Sequence, residues 1–258
     1  MRLISINTWG GKKFDSLMKF IHDQKDRTDV FCFQEIFDAE PGMTITNAWR
    51  ANLLHELTQS LPEFQSFFVP YLQNHNFKEK TDFPLSYGNA MFVKKETTVN
   101  DHGDAKIFHV EKEEIIENVF IRITKKLQFV RMMVDGAMCT IVNIHGIWFD
   151  GPKMDNDDTR EQLRHITEFL ATVKTPIIMA GDFNLWPESD TIASIERLGL
   201  RNMIKEYKIP STRSKTFKYP HPFADYIFVS PTITVTHFEA LPDEVSDHLP
   251  LVMEFTFK

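Results

Sequence analysis

The chain has 258 residues, with Lys+Arg 29 against Asp+Glu 36, a formal net charge of −7 and a pI near 5.8. That balance argues against tight, unaided binding of duplex nucleic acid, which calls for a basic face, though not against a site where a bound cation supplies the positive charge. Hydrophobic residues at 42%, 23 of all residues being Phe, are ample for a large core, and no linker-like, repeated or low-complexity tract interrupts them, so one domain over residues 1–258 is expected.

Leu3–Ile6 reads as a first strand. Phe14, Leu17, Met18 and Ile21 recur at i, i+3, i+4 and i+7, the spacing of an amphipathic helix. Val30–Phe33 reads as a buried strand, and a second helix is expected from Thr46 to Ser60. Further strands are expected at Ala90–Val93, Val119–Thr124, Gln128–Val134 and Met138–Ile144. Asp158 or Thr159 is placed to cap the next helix, with Glu161 and Gln162 at capping-box spacing and Leu163, Ile166, Phe169, Leu170 and Val173 as its apolar stripe. Pro176–Ala180, Asp225–Ser230, Ile233–Phe238 and Leu249–Phe257 complete the strands. Strands outnumber helices and many are joined by short turns, so the expected fold is an α/β one of two packed mixed sheets with helices outside.

Cys32 and Cys139 both lie in apolar runs and read as reduced core residues. No apolar stretch near Met1 has signal-peptide length and no segment approaches a membrane span. A cytoplasmic protein without stable membrane insertion is expected, and no protein partner can be inferred.

Four apolar runs end directly in polar residues: Leu3–Ile6 in Asn7, Val30–Phe33 in Gln34-Glu35, Thr140–Val142 in Asn143-Ile144-His145, and Ile177–Met179 in Gly181-Asp182-Phe183-Asn184. Two more carry theirs at the start, Asp225 before Tyr226-Ile227-Phe228 and Ser246-Asp247-His248 before Leu249. Strand ends are surface positions where polar residues are ordinary. These six, however, offer only carboxylate, amide and imidazole groups, the set that holds a hard divalent cation and moves protons. In a sheet with antiparallel pairs, the ends of some strands and the starts of others share one rim, so all six can converge. No Cys/His spacing of a zinc site occurs, which makes zinc the weaker reading.

Asn7-Thr8-Trp9, Gln34-Glu35-Ile36, Asn143-Ile144-His145, Gly181-Asp182-Phe183-Asn184, Asp225-Tyr226-Ile227 and Ser246-Asp247-His248, in this order, resemble the signature of the endonuclease/exonuclease/phosphatase superfamily, whose members include deoxyribonucleases, abasic-site endonucleases, neutral sphingomyelinases and inositol polyphosphate phosphatases. The resemblance implies a four-layer α/β sandwich, two packed mixed β-sheets flanked by helices, and metal-dependent hydrolysis of a phosphate ester. By position it makes Glu35 the main Mg2+ ligand (Mn2+ being a possible substitute), with Asn7 beside it and Asp247 a second metal-side carboxylate. Asp182 and Asn184 would orient the attacking water and hold the phosphate, His248 would be the catalytic histidine oriented by Asp225, and His145 would lie near the scissile phosphate. Asn89 matches a phosphate-side position.

A cation that neutralises phosphate oxygens removes much of the barrier to attack, and a carboxylate or imidazole must take the proton of the attacking water. Either Asp182 or His248 can be that base. Arg213, whose planar fork suits phosphate oxygens, is the best of the candidate anion-steering residues. Lys12, Lys13, Lys78, Lys80, Lys215 and Lys218 read equally well as solvated charges. Trp148 and Phe149 can stack on substrate or pack under a loop. The substrate is a phosphate ester, possibly nucleic acid, and more a diester than a monoester. Acidity favours a small-molecule or lipid phosphate ester instead, and a non-catalytic binding module on the same scaffold is the minority alternative.

Overall fold

The computed structural model of the chain describes residues 1–116 and 120–257. The first half comprises β1 (Arg2–Asn7), α1 (Phe14–Gln24), β2 (Val30–Asp38), α2 (Leu53–Ser60), β3 (Phe64–Gln73), β4 (Ser86–Lys94) and β5 (Val99–Phe108). A small pair, β6 (Glu114–Ile116) and β7 (Phe120–Arg122), is followed by β8 (Lys125–Val134), β9 (Ala137–His145), α3 (Asp157–Thr172) and β10 (Ile177–Asp182). The chain continues through α4 (Asp190–Arg197), β11 (Arg201–Asn202), α5 (Met203–Glu206), β12 (Asp225–Val229), β13 (Ile233–Ala240) and β14 (Leu251–Phe257).

Two six-stranded mixed sheets form, in the orders β13-β14-β1-β2-β4-β3 and β11-β12-β10-β9-β8-β5. Their inner faces share one core in which Leu3, Val30 and Cys32 meet Val142, Ile144 and Met179. Alternate residues of the same strands, Ile4, Ile6, Phe31 and Phe33, point outward and are covered by Leu17, Phe20 and Ile21 of α1 and by Leu53 and Leu57 of α2. Strands buried on both faces explain why the sequence shows continuous apolar runs there. Both cysteines are free and buried.

Four expectations needed correction. The helix expected from Thr46 begins only at Leu53, because Asn47 and Ala48 take left-handed φ of 65° and 58°, which a helix cannot accommodate. The cap of α3 is Asn156, whose Oδ1 accepts from Thr159 N–H at 2.9 Å while Thr159 Oγ1 accepts from Asn156 N–H at 2.8 Å. Gln162 instead accepts from Ile147 N–H at 2.9 Å, tying α3 to the loop after β9. The final strand starts at Leu251 rather than Leu249. The expected strand Val119–Thr124 begins outside the described residues, and the remainder is divided between β7 and the approach to β8. Four strands, β3, β5, β6 and β11, fall where no strand is expected from the sequence, and β3, β5 and β11 each stand at an edge of a six-stranded sheet.

Topology places the polar strand ends together. β1 runs parallel to β2, and β9 parallel to β10, so Asn7 and Glu35 finish at one edge of the first sheet and His145 pairs Asp182 at one edge of the second. β12 runs antiparallel to β10 with Asp225 opposite Asp182, and β14 antiparallel to β1, so their starts reach the same edge. Between the sheets, Gln34 Nε2 donates to Asn143 Oδ1 at 2.7 Å and Asn143 Nδ2 to Phe33 O at 3.0 Å. This buried staple fixes the two edges relative to each other.

Candidate active site

Glu35 leaves the first sheet at a bulge. Between Phe33 and Ile36 the register with β4 gains a residue, and Glu35 adopts φ 61°. The bulge swings its carboxylate to the mouth of the site, where 23% of the side chain is exposed. Asn7 Nδ2 donates to Glu35 Oε1 at 3.0 Å and to Asp182 Oδ2 at 2.9 Å, clamping two acids from different sheets. Asn7 Oδ1 accepts from Trp9 N–H at 2.9 Å.

Gly181 makes Asp182 possible. Its φ is 138°, and a Cβ there would lie 2.0 Å from Ile144 O, so only glycine lets β10 approach β9 this closely. Beyond it, Asp182 Oδ1 accepts from Asn184 N–H at 2.8 Å, with Asn184 at φ 55°. The amide nitrogens of Asn184 and Asn89 are both buried without a partner. A buried donor left unmatched costs free energy, and an oxygen-rich anion would satisfy both.

His248 and Asp225 form a buried pair, Nδ1 to Oδ2, at 2.8 Å. His248 Nε2 lies 3.6 Å from Asp182 Oδ2 and also meets Arg213 Nη1, which donates to Asp247 Oδ2 at 3.3 Å. His145 Nε2 stands 3.8 Å from Glu35 Oε1 and 3.9 Å from Asp182 Oδ2, and its Nδ1 is 2.9 Å from the Tyr71 hydroxyl.

The two histidines are tuned oppositely. Burial lowers the His145 pKa well below the usual value, reinforced by Lys125, so the ring is neutral. Burial and Arg213 also press on His248, but Asp225, Asp247 and Asp182 outweigh them and raise it to about 9. A charged His248 carries a proton on Nε2 as well, and Asp182 Oδ2 at 3.6 Å is an acidic neighbour of that nitrogen. Against the desolvation of burial, the charges of His248 and Arg213 and the Asn7 hydrogen bond hold the Asp182 carboxyl below the ordinary range. Burial and then the nearby Asp247 raise that of Glu35. A carboxylate at an open mouth whose charge is disfavoured by burial and by a second acid fits a hard cation, which would relieve that cost through oxygen ligands.

Among the described residues, one trio of acid and imidazole atoms, from Asp182, Asp225 and His248, gathers within 4.8 Å. Two atoms of that trio are already joined in the His248–Asp225 hydrogen bond, while Glu35 and Asp247 are further carboxylates at the rim that could take a cation. Asn7 would join them only by turning its amide, because its oxygen is held by Trp9 N–H.

Asn7, Glu35, Asn89, His145, Asp182, Asn184, Arg213, Asp225, Asp247 and His248 thus come together at one rim. Arg213 rests on Asp247 and His248 rather than projecting freely. Lys78, Lys80, Lys215 and Lys218 are exposed. Lys153 Nζ sits 4.3 Å from the Trp148 ring and 4.6 Å from Phe149. Three neighbours of the site had no signal in the sequence: Tyr71, Lys153 and Lys125. Burial lowers the Lys125 amine to about 8 against the pull of Glu35 and Asp182, and that of Lys153 to about 8 against the pull of Asp182.

Comparison with known proteins agrees with this architecture. Residues 4–248 match the Endonuclease/Exonuclease/phosphatase family, and the chain belongs to it. A UPF0294 protein of Yersinia enterocolitica is 31% identical over 122 residues, 47% of this chain and 44% of the relative, so the match spans less than half of that relative's length. An endonuclease/exonuclease/phosphatase family protein from Leptotrichia buccalis superposes with a TM-score of 0.72 at 16% identity over 100% of both chains. The mannosyl-6-phosphatase Bt3783 of Bacteroides thetaiotaomicron does so with 0.69 at 16% identity, again over 100% of both chains. Members of this family are typically phosphoester hydrolases that use a divalent metal. No helix among the described residues is long and apolar enough to cross a membrane.

Proposed function

We propose that the chain is a Mg2+-dependent phosphodiester hydrolase, Mn2+ substituting, that attacks its substrate directly with water. The observation that carries the reading is the meeting of Glu35, Asp182 and the His248–Asp225 pair at one rim with two unmatched amide donors. Glu35 and Asp247, joined by Asn7, would hold the cation, which neutralises the non-bridging and leaving oxygens when bound.

The remaining steps belong to the protein. The amides of Asn184 and Asn89 hold the phosphate oxygens. Asp182, ionised and positioned by Asn184 N–H, takes the proton of the attacking water, whose oxygen bonds to phosphorus as the ester P–O bond breaks. His248, charged and fixed by Asp225, presents Nε2–H to a phosphate oxygen as negative charge grows there. Neutral His145 donates from Nε2 if the Tyr71 hydroxyl donates to its Nδ1. Arg213 must leave His248 as substrate enters, and its fork then faces the phosphate. The leaving oxygen takes its proton from solvent.

A second reading, a small-molecule or lipid phosphomonoesterase, is favoured by the net charge of −7 and by the likeness to a mannosyl-6-phosphatase. A panel of bis(4-nitrophenyl) phosphate, 4-nitrophenyl phosphate, plasmid DNA and single-stranded RNA, each with Mg2+ and with chelator, separates them. Cleavage of the diesters in Mg2+ alone is expected. Turnover of the monoester alone would favour the second reading, and turnover of nothing by a folded, Mg2+-binding protein would favour a binding module.

A further inference from the structure

Beside the Glu35 side of the site lies a cavity of about 870 Å3, walled by the segment after β1, the 42–52 loop before α2 and Glu244. It adjoins the site through hydrogen bonds: Asn7 Oδ1 accepts from Trp9 N–H, and Lys13 on the cavity wall donates to Thr216 Oγ1, whose N–H donates to Ser214 Oγ at 3.2 Å, while Ser214 N–H donates to Asp247 O at 3.0 Å. On the opposite wall, Glu244 stands three residues before Asp247.

The lining combines flat or apolar surface with positive charge. Phe14, Met43, Ile45 and Trp49 supply the first, Met43 being 41% exposed. Of three lining cations, Lys13 is neutralised by Glu244 and bonded to Thr216. Lys12 and Arg50 have no acid within ion-pair distance among the described residues. Lys12 Nζ instead rests 4.4 Å from the Trp9 ring and 5.0 Å from the Trp49 ring, and the Arg50 guanidinium 3.6 Å from the Phe14 ring. Arg50 Nε is buried with no partner. The lining acids Glu56, which accepts from Asn52 Nδ2 at 3.2 Å, and Asp15, which is exposed, form no ion pair with Lys12 or Arg50 among the described residues. In a chain of net charge −7, two cationic heads without an ion-pair partner among the described residues, set on one concave wall, suit an anion.

We infer that this cavity is a substrate subsite, which receives the part of the ester on the Glu35 side and recognises a second anionic group on an apolar or aromatic frame through Lys12 and Arg50, with the frame lying against Trp49. The inference deepens the phosphoesterase reading and rests on it for the word substrate. Binding at the cavity requires no turnover. The two can therefore fail separately.

The test is an NMR titration of the full chain, 15N-labelled and held in chelator. The probe is phenyl phosphate, compared with phenol, which lacks the charge, and inorganic phosphate, which lacks the frame. Phenyl phosphate should shift the Trp49 indole and the Gly11 and Lys12 amides most, and bind at least about tenfold more tightly than either comparator. Lys12→Met and, separately, Arg50→Gln should each weaken it about tenfold, in variants whose remaining spectrum is native. Shifts confined to Gly181 and Asp182, equal affinity for phenol, or unchanged affinity in both variants would overturn the assignment. If the subsite binds while the substrate panel shows no hydrolysis, the catalytic reading fails and the anion site stands.

Discussion

His248 Nδ1 lies 2.8 Å from Asp225 Oδ2, with both side chains 4% exposed. A buried imidazole paired in this way has a fixed orientation and a stabilised charge. Asp225→Asn removes the charge while keeping the shape, so kcat on bis(4-nitrophenyl) phosphate should fall by roughly 10²–10⁴ with KM changed little. A KM effect with kcat intact would assign Asp225 to substrate binding instead.

The same pair sets a pH dependence for stability. In chelator, folded His248 keeps its second proton up to about pH 9, whereas an unfolded histidine releases it near 6.5. The folded state binds more protons across that window, so this contribution is complete below about pH 6.5 and fades as pH rises to about 9. Urea melts of the wild type and of His248→Asn across this range should converge as pH rises. A constant gap would contradict the raised pKa.

Burial, and then the neighbouring Asp247, disfavour the charge of Glu35. In chelator, Glu35→Gln should therefore melt at least as high as the wild type, while the rise in Tm that Mg2+ gives the wild type should vanish. Differential scanning calorimetry with and without Mg2+ reads both. An undiminished Mg2+ effect in the variant would move the cation away from Glu35.

The Tyr71 hydroxyl stands 2.9 Å from His145 Nδ1. Tyr71→Phe leaves a buried ring nitrogen unmatched, at a cost of about 1–3 kcal/mol in stability. Activity should fall about tenfold as His145 loses its fixed tautomer, and the 15N shifts of its ring should report a mixture of tautomers. Unchanged His145 shifts would show that packing alone orients the ring.

Gly181 has no room for a methyl group, since a Cβ would meet Ile144 O at 2.0 Å. Gly181→Ala should lose several kcal/mol or fail to fold, with on the order of 3 kcal/mol as the lower bound. A near-native melting curve would mean that β9 and β10 can part without harm.

Much of this architecture was legible in the residues because the acids and amides of the rim stand directly at the ends of apolar runs. Asn7, Glu35, Asp182 and His248 could be placed together from strand order alone. Tyr71 could not, because β3 is an edge strand whose register breaks between Pro70 and Leu72 and whose pattern does not alternate. β5 escaped notice for a related reason: as the other edge, it carries exposed Asn100, Asp101 and His102 where a central strand would be apolar. Lys125 in Lys125-Lys126 reads as any surface lysine until burial is known. The cavity over Trp49 was hidden because left-handed Asn47 and Ala48 turn a segment of helical composition into a loop.

Crystals soaked with Mn2+ and phosphate, with the ion located by its anomalous signal, test the cation's place most directly. An ion about 2.0–2.3 Å from a Glu35 carboxylate oxygen, its phosphate reached by the Asn184 amide, is the expected result. An ion seated instead among Asp182, Asp225 and His248 with Glu35 unligated, or found at none of these groups, would contradict it.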